Sequence, residues 1–311
     1  MVKVLIGSNG GLTGIYLAKQ YRKMNGITVY GADSSTTSTG RFFVNKQFVL
    51  PPATHESFID KLVTLLNENC VDVYLPTHSK ETKIVSQNAD IIRSKTSARF
   101  LITPAKTFAA LENKKSANSN LKEAGIPVPQ IIEDLDCEYP IIMKNDIGSG
   151  STGTIKILNK VIHEAYKSSC KDVSFYRIIQ GKEYTLDCMF DDKGELIGYN
   201  QRQRIKTIGG AVSITTNSGD FDISPWLNTL AKTWRFCGCV NFQYIVQDNM
   251  PYFIDINLRY PSGGLPLSVA SGLDVPKLTL DVLLGRPYQK FVLPKEKRQL
   301  TMYRFFEEIF E

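Results

Sequence analysis

Over the first hundred residues, short apolar runs alternate with amphipathic stretches of helical length, and this alternation restricts the chain more than any other feature. Residues 2–6 read as a buried strand, 12–24 as helix, and 27–32 as a strand ending at Asp33. A third apolar strand follows at 46–50, a helix at 57–68 and a strand at 71–76. A helix beyond Lys80 then leads to a strand at 99–103. Strands separated by helices of this length pair in parallel through crossovers, so the segment predicts an α/β, doubly wound parallel sheet.

Gly7, Gly10, Gly11 and Gly14 cluster where the first strand meets the first helix. Glycine there tolerates unusual backbone angles and lets a ligand approach the N–H groups of a helix N-terminus. Asp33 falls where a dinucleotide domain places its ribose-binding acid. The spacing, however, is GxxGGxxG rather than GxGxxG. A tight turn or a small-ligand role is favoured over nicotinamide, and Gly10 and Gly11 become candidate substrate contacts.

Hydrophobic residues at 42% and charged residues at 22% describe an ordinary globular chain. No apolar run approaches the roughly 18 residues of a membrane helix, and the N-terminus lacks the charged and apolar regions of a signal peptide. A cytoplasmic protein without a membrane partner is expected. The six cysteines form no disulfide framework, and the three histidines lie far from the Cys237/Cys239 pair, so no zinc motif is suggested. The net charge of +6 is dispersed rather than gathered on one element. That argues against nucleic acid and for a small anionic ligand.

Beyond Pro104 the character changes. Residues 105–124 read as helix, stopped by Gly125-Ile-Pro-Val-Pro129. A strand at 140–144, a Gly/Ser loop at 145–153 and a second strand at 154–158 follow. From Phe175 the pattern is antiparallel and strand-rich, with hairpin turns at 191–194 and 247–249.

Four local features carry chemistry. Lys144 ends a strand and precedes the loop Gly148-Ser149-Gly150-Ser151-Thr152-Gly153, a point charge plus backbone donors suited to polyphosphate. The stretch 175–187, including Tyr176, Ile178 and Ile179, offers backbone groups to a purine edge, with Glu183 an acceptor for ribose hydroxyls. Asp255 and Asn257, two apart on one strand, face the same way, and Gln243 lies on the preceding strand. Three oxygen donors completed by phosphate oxygens suit Mg²⁺, and Arg259 would stabilise charge on a transferring phosphoryl group. Finally, Arg202-Gln-Arg204-Ile-Lys206 could hold a substrate carboxylate or nucleotide phosphates, or be a solvated edge strand.

Together these residues resemble the ATP-grasp superfamily over nearly the whole chain. Leu111-Glu-Asn-Lys114, followed eleven residues later by Gly125-Ile-Pro-Val-Pro129, resembles the family's Asp-Lys…Gly-Ile-Pro-x-Pro segment, with Lys114 the first nucleotide lysine and Asn113 replacing aspartate. Ile141-Ile-Met-Lys144 and its loop resemble the second lysine and the phosphate-covering loop. Gln180-Gly-Lys-Glu183 resembles the hinge, with Tyr176 where the family usually has glutamate. Phe242-Gln-Tyr and Phe253-Ile-Asp-Ile-Asn-Leu-Arg259 resemble the metal-binding strand pair. Gln243 there is similar to the carbamoyl-phosphate synthetase large-subunit branch, and Asp255 stands where glutamate is commoner. Tyr260-Pro-Ser-Gly263-Gly264-Leu-Pro-Leu267 resembles a substrate-side loop.

The resemblance implies a single unit divided into a pre-ATP-grasp domain (1–104), a small lobe with a connecting helix (105–178) and a large lobe with a C-terminal strand (179–311). It implies ATP with one or two Mg²⁺, or Mn²⁺ as a substitute, and an acyl-phosphate ligase joining a small carboxylate to an amine of amino-acid type. Arg259 and Lys144 are its catalytic candidates. A homodimer is the base-rate expectation. The rival readings are a non-catalytic nucleotide binder of the same fold and an NAD-dependent dehydrogenase.

Overall fold

The computed structural model describes residues 1–148, 153–209, 211–294 and 299–311. The N-terminal alternation folds as strands β1 (Val2–Gly7), β2 (Ile27–Asp33), β3 (Lys46–Val49) and β4 (Val73–Leu75), interleaved with helices α1 (Leu12–Tyr21) and α2 (Phe58–Glu68). They form an all-parallel sheet in the order β3-β2-β1-β4. Helices α3 (Ser79–Gln87) and α4 (Ala89–Lys95) follow.

The strand expected at 99–103 is reduced to one parallel bridge, Val73 to Arg99. The chain leaves the sheet there, because Thr103 Oγ1 donates to the Cys237 carbonyl at 3.2 Å and ties this segment to the second half of the protein. The single helix expected at 105–124 divides into α5 (Ala105–Leu111) and α6 (Lys114–Glu123). Asn113 causes the break, since its Oδ1 accepts from Ser116 N at 3.0 Å and starts a new helix.

Two antiparallel sheets complete the molecule. One has three strands, β5 (Ile141–Asn145), β6 (Ile155–Ile157) and β7 (Val173–Arg177), in the order β6-β5-β7, with α7 (Lys160–Ser169) between β6 and β7. The other comprises β8 (Lys182–Phe190), β9 (Leu196–Ile208), β10 (Ala211–Asn217), β11 (Gly238–Gln247), β12 (Met250–Asn257) and β13 (Thr301–Tyr303), ordered β12-β11-β8-β9-β10-β13. Helix α8 (Ser224–Thr233) packs on it.

Strand β9 is long and interior: β8 pairs one edge and β10 the other. The basic stretch is therefore not a solvated edge strand. Strand β13 is short and pairs antiparallel with β10.

The cores explain how these parts are joined. Phe108, Leu111, Ala117 and Leu121 of α5 and α6 are buried with Leu186, Phe242 and Phe253 of the six-stranded sheet, so both helices pack there rather than on the three-stranded sheet. The C-terminal helices α9 (Leu265–Ala270) and α10 (Val275–Leu283) return to the parallel sheet, where Leu265, Val275 and Leu280 share a core with Val4 and Ile6. The buried Tyr21 hydroxyl donates to the Pro276 carbonyl at 3.1 Å across that interface.

The glycine turn is packed tightly against α1. A Cβ on Gly14 would lie 2.5 Å from Asn9 Cα and 2.8 Å from its carbonyl oxygen, which is backbone that cannot rotate away. Gly14→Ala should therefore lower stability by about 1–3 kcal/mol, read as a shift in the urea unfolding midpoint at unchanged slope. An unshifted midpoint would show that the turn relaxes freely.

Candidate active site

Two cavities lie on the face where the three sheets converge. The first, about 250 Å³, sits between the small three-stranded sheet and β11–β12 of the large one. Its walls are largely apolar and include Leu121, Ile142, Ile178, Ile179, Ile245 and Phe253. A largely apolar slot suits a flat heterocycle. Its charged residues are Lys114, Lys144, Arg177, Glu183 and Asp255.

The lysines are positioned by backbone. Lys114 opens α6 and its Nζ donates to the Gly148 carbonyl at 2.7 Å, with Asp255 Oδ1 at 3.7 Å. Asn113 caps that helix, so its replacement of the family's aspartate leaves the lysine anchored. Lys144 Nζ donates to the Ile254 carbonyl at 3.3 Å, linking β5 to β12 across the cleft. Burial pushes the Lys144 amine below the ordinary lysine value; Asp255 opposes this, Lys114 reinforces it, and Glu183 opposes it. Ser149, Gly150 and Ser151 of the expected phosphate loop lie outside the described residues.

Tyr176, on β7, is buried against this cavity, and burial raises its phenol to about 12. Glu183, expected at a ribose, holds Arg204 Nε at 2.8 Å. That pairing occupies one of its oxygens and uses the charge of Arg204.

The second cavity, about 280 Å³, adjoins the first further along the same strand pair. Its walls bring together Ser8 and Gly11 of the glycine turn, His78 and Ser79 at the start of α3, and Arg202, Arg204, Arg259 and Gly263. Gly10 turns away from it, and its N–H donates to Asp33 Oδ2 at 3.0 Å. Asp33 also accepts from Ser35 N at 3.0 Å, so its carboxylate organises the turn. Gly264 packs on Arg202 instead of facing the cavity; a Cβ there would fall 1.9 Å from Arg202 Nε. Burial, then Arg259 and Lys80, lower the His78 imidazole below its ordinary value, while Asp33 opposes them.

Gln243 and Asp255 line both cavities. They are directly paired across β11 and β12, as are Asn241 and Asn257. Asn257 Nδ2 donates to Asp255 Oδ2 at 3.0 Å, and Asn257 Oδ1 accepts from Arg259 NH2 at 3.2 Å. Arg259 is further fixed by Ser79 Oγ at 2.6 Å and the Tyr260 carbonyl at 3.0 Å. Among the described residues, no three His, Cys, Asp or Glu side chains form a cation cage. A hard divalent ion here would rely on Asp255, the amide oxygens of Gln243 and Asn257, and ligand phosphates. That donor set fits Mg²⁺, which seldom has an all-protein cage.

Sequence reasoning missed Asp187, Asn241 and Ser268. Asp187 and Arg202, 1% and 2% exposed, form a fork with Nε–Oδ2 at 2.9 Å and NH2–Oδ1 at 3.2 Å. Asn241 Nδ2 and Ser268 Oγ fill the remaining acceptor positions at 2.7 Å each. Asp187 stands four residues beyond Glu183 on one strand, hence on the same face; that period was the available signal.

A family model described as ATP-grasp in the biosynthetic pathway with Ter operon matches residues 170–304. The family likeness thus runs from β7 to β13. The carbamoyl phosphate synthase large chain of Caldanaerobacter subterraneus subsp. tengcongensis is 25% identical over 223 residues, 62% of this chain and 20% of that one. Pyruvate carboxylase of Bacillus subtilis is 21% identical, over 96% of this chain and 29% of its own. The chain thus spans between a fifth and a third of these relatives. Among solved structures, N5-carboxyaminoimidazole synthetase from Staphylococcus aureus with ADP superposes with TM-score 0.74 at 17% identity, covering 93% of this chain and 79% of that one. The biotin carboxylase domain dimer of Hydrogenobacter thermophilus 2-oxoglutarate carboxylase, with MgADP, ADP and bicarbonate, gives 0.73 at 17% identity, covering 96% and 72%. The ATP-grasp fold accounts for the three sheets, and neither these relatives nor the occupied Asp33 favours the dehydrogenase alternative.

Two expectations follow for this site. Polyphosphate favours the protonated Lys144 amine, so MgATP affinity should fall as pH rises between its depressed value in the free protein and its raised value in the complex. Calorimetric titration across alkaline pH checks this, and Lys144→Arg should flatten the profile. Asp187→Ala would leave Arg202 buried without its counter-charge and should cost about 3–5 kcal/mol of stability, measurable by denaturant unfolding.

Proposed function

We propose that this chain is an ATP-dependent ligase that activates a small carboxylate as an acyl phosphate and passes the acyl group to an amine. The observation that carries this reading is that an apolar, nucleotide-sized cavity and an arginine-lined polar cavity share Gln243 and Asp255 as a common wall. Phosphoryl donor and acceptor can thus meet there without mixing their binding groups.

In this reading the base lies against Ile178 and Ile179, the ribose near Glu183, and the phosphates against Lys114 and Lys144. Gln243, Asp255 and Asn257 would hold one or two Mg²⁺, with Mn²⁺ a substitute, which neutralise charge on the terminal phosphates when bound. A carboxylate oxygen attacks the γ-phosphorus, the bond to the bridging oxygen breaks and ADP departs. The amine nitrogen then attacks the acyl carbon, phosphate leaves and the amine loses a proton. Arg259, whose hydrogen bonds within the protein go to neutral groups, offsets charge that spreads over the transferring phosphoryl oxygens. Positioning supplies most of the rate, so no His or Cys nucleophile is required. A homodimer is part of this proposal, read by sedimentation velocity.

The test is ADP release from MgATP by the whole chain, screened over amino acids, other small carboxylates and bicarbonate, with hydroxylamine to trap the acyl phosphate. Acid-stimulated release with hydroxamate formation is expected. Asp255→Ala should abolish the Mg²⁺-dependent release while leaving the circular dichroism spectrum and melting temperature close to wild type. Undiminished turnover in that variant would overturn the assignment of Asp255.

A further inference from the structure

The ends of the second cavity differ in a way the ligase reading leaves unused. Asp255, Gln243 and Arg259 occupy the end next to the nucleotide. The wall also contains Arg202, which is almost wholly buried yet has NH1 without a hydrogen-bond partner among the described residues. Its Nε and NH2 are committed to Asp187, so the guanidinium cannot turn and NH1 is fixed in direction.

Arg304, just beyond β13, reaches the same wall: its NH2 donates to the Gly263 carbonyl at 3.0 Å, and its NH1 is also buried without a partner among the described residues. Burial and then the Arg202 charge lower its guanidinium below the ordinary arginine value. No carboxylate pairs with Arg304 among the described residues, although Asp187 satisfies Arg202. Two neighbouring guanidinium groups, each keeping one desolvated N–H group unused, are costly unless an anion completes them.

We propose that Arg202 and Arg304 form a second anion subsite, so that the acid substrate is a dianion. This rests on the ligase reading. One carboxylate is activated beside Asp255 and Arg259, and a second carboxylate or a phosphate is held by Arg202 and Arg304. The two arginines have unequal tasks. Arg202 is locked by Asp187 and sets the direction of approach, whereas Arg304, just past the edge strand β13, supplies the uncompensated charge. Bicarbonate or a simple monocarboxylate would leave this subsite unfilled.

The experiment measures binding to the full chain in MgADP by calorimetry, which needs no turnover. Succinate and glutarate are each compared with their monomethyl esters, and 3-phosphonopropionate with butyrate, so that planar and tetrahedral second anions are separated. At least one dianion should bind about tenfold or more tightly than its monoanionic counterpart, as expected for charge-assisted hydrogen bonds. Arg304→Gln should remove that preference while leaving the MgADP dissociation constant unchanged. Arg304 is preferred for the test because Arg202→Gln would also strand Asp187 and can unfold the chain. If no dianion binds more tightly than its counterpart, or the preference survives in Arg304→Gln, the subsite is refuted. ADP release stimulated equally by both members of each pair would likewise refute it while leaving the ligase reading intact. Dianion-selective binding that is lost in Arg304→Gln, with no acid-stimulated ADP release, would uphold the subsite and remove the ligase reading.

Discussion

The buried fork between Asp187 and Arg202 is the interaction on which the rest of the site depends. Removing both charges from water is expensive, and their mutual attraction offsets it only when the geometry is good and every remaining lone pair is used. Here Asn241 and Ser268 complete Asp187, so one carboxylate joins β8, β9, β11 and α9. The strand carrying Arg204 and the strand pair carrying Gln243 and Asp255 therefore keep a fixed relation. Gly264 is required for the same reason, since any side chain there would collide with the guanidinium.

Around that anchor the charges are graded. Lys114 and Lys144 flank Asp255 on one side, and Arg259 reaches it through Asn257 on the other. A single carboxylate thus separates two cationic regions. Such a wall lets two anionic ligands approach each other closely, because each meets positive charge from its own side and Asp255 limits the repulsion among the cations. Burial lowers the affinity of Lys144 for its proton in the free protein, which keeps the amine responsive to a phosphate.

Much of this was legible in the sequence because it depends on local period. The β/α alternation fixed the parallel sheet, and the i, i+2 spacing of Asp255 and Asn257 placed them on one face with Gln243 opposite. What could not be read depends on neighbours far along the chain. The sequence left Arg202 open between a ligand-holding role and a solvated edge strand, because its burial needs β10 on one side and the Asp187 carboxylate beneath it. The return of β13 to the sheet was anticipated, but the direction of Arg304 depends on the Gly263 carbonyl. The helix break at Asn113 was visible in principle, since asparagine caps helices well, yet the continuous helical pattern around it concealed the signal.

Helices α9 and α10 pack on the sheet formed by the first residues of the chain, and Tyr21 meets Pro276 across 255 positions of sequence. During synthesis, then, the parallel sheet emerges early with α1 covering only part of one face, which α9 and α10 complete much later in the chain. The N-terminal unit thus reaches its full burial only with the later helices, which couples its stability to the second half of the chain.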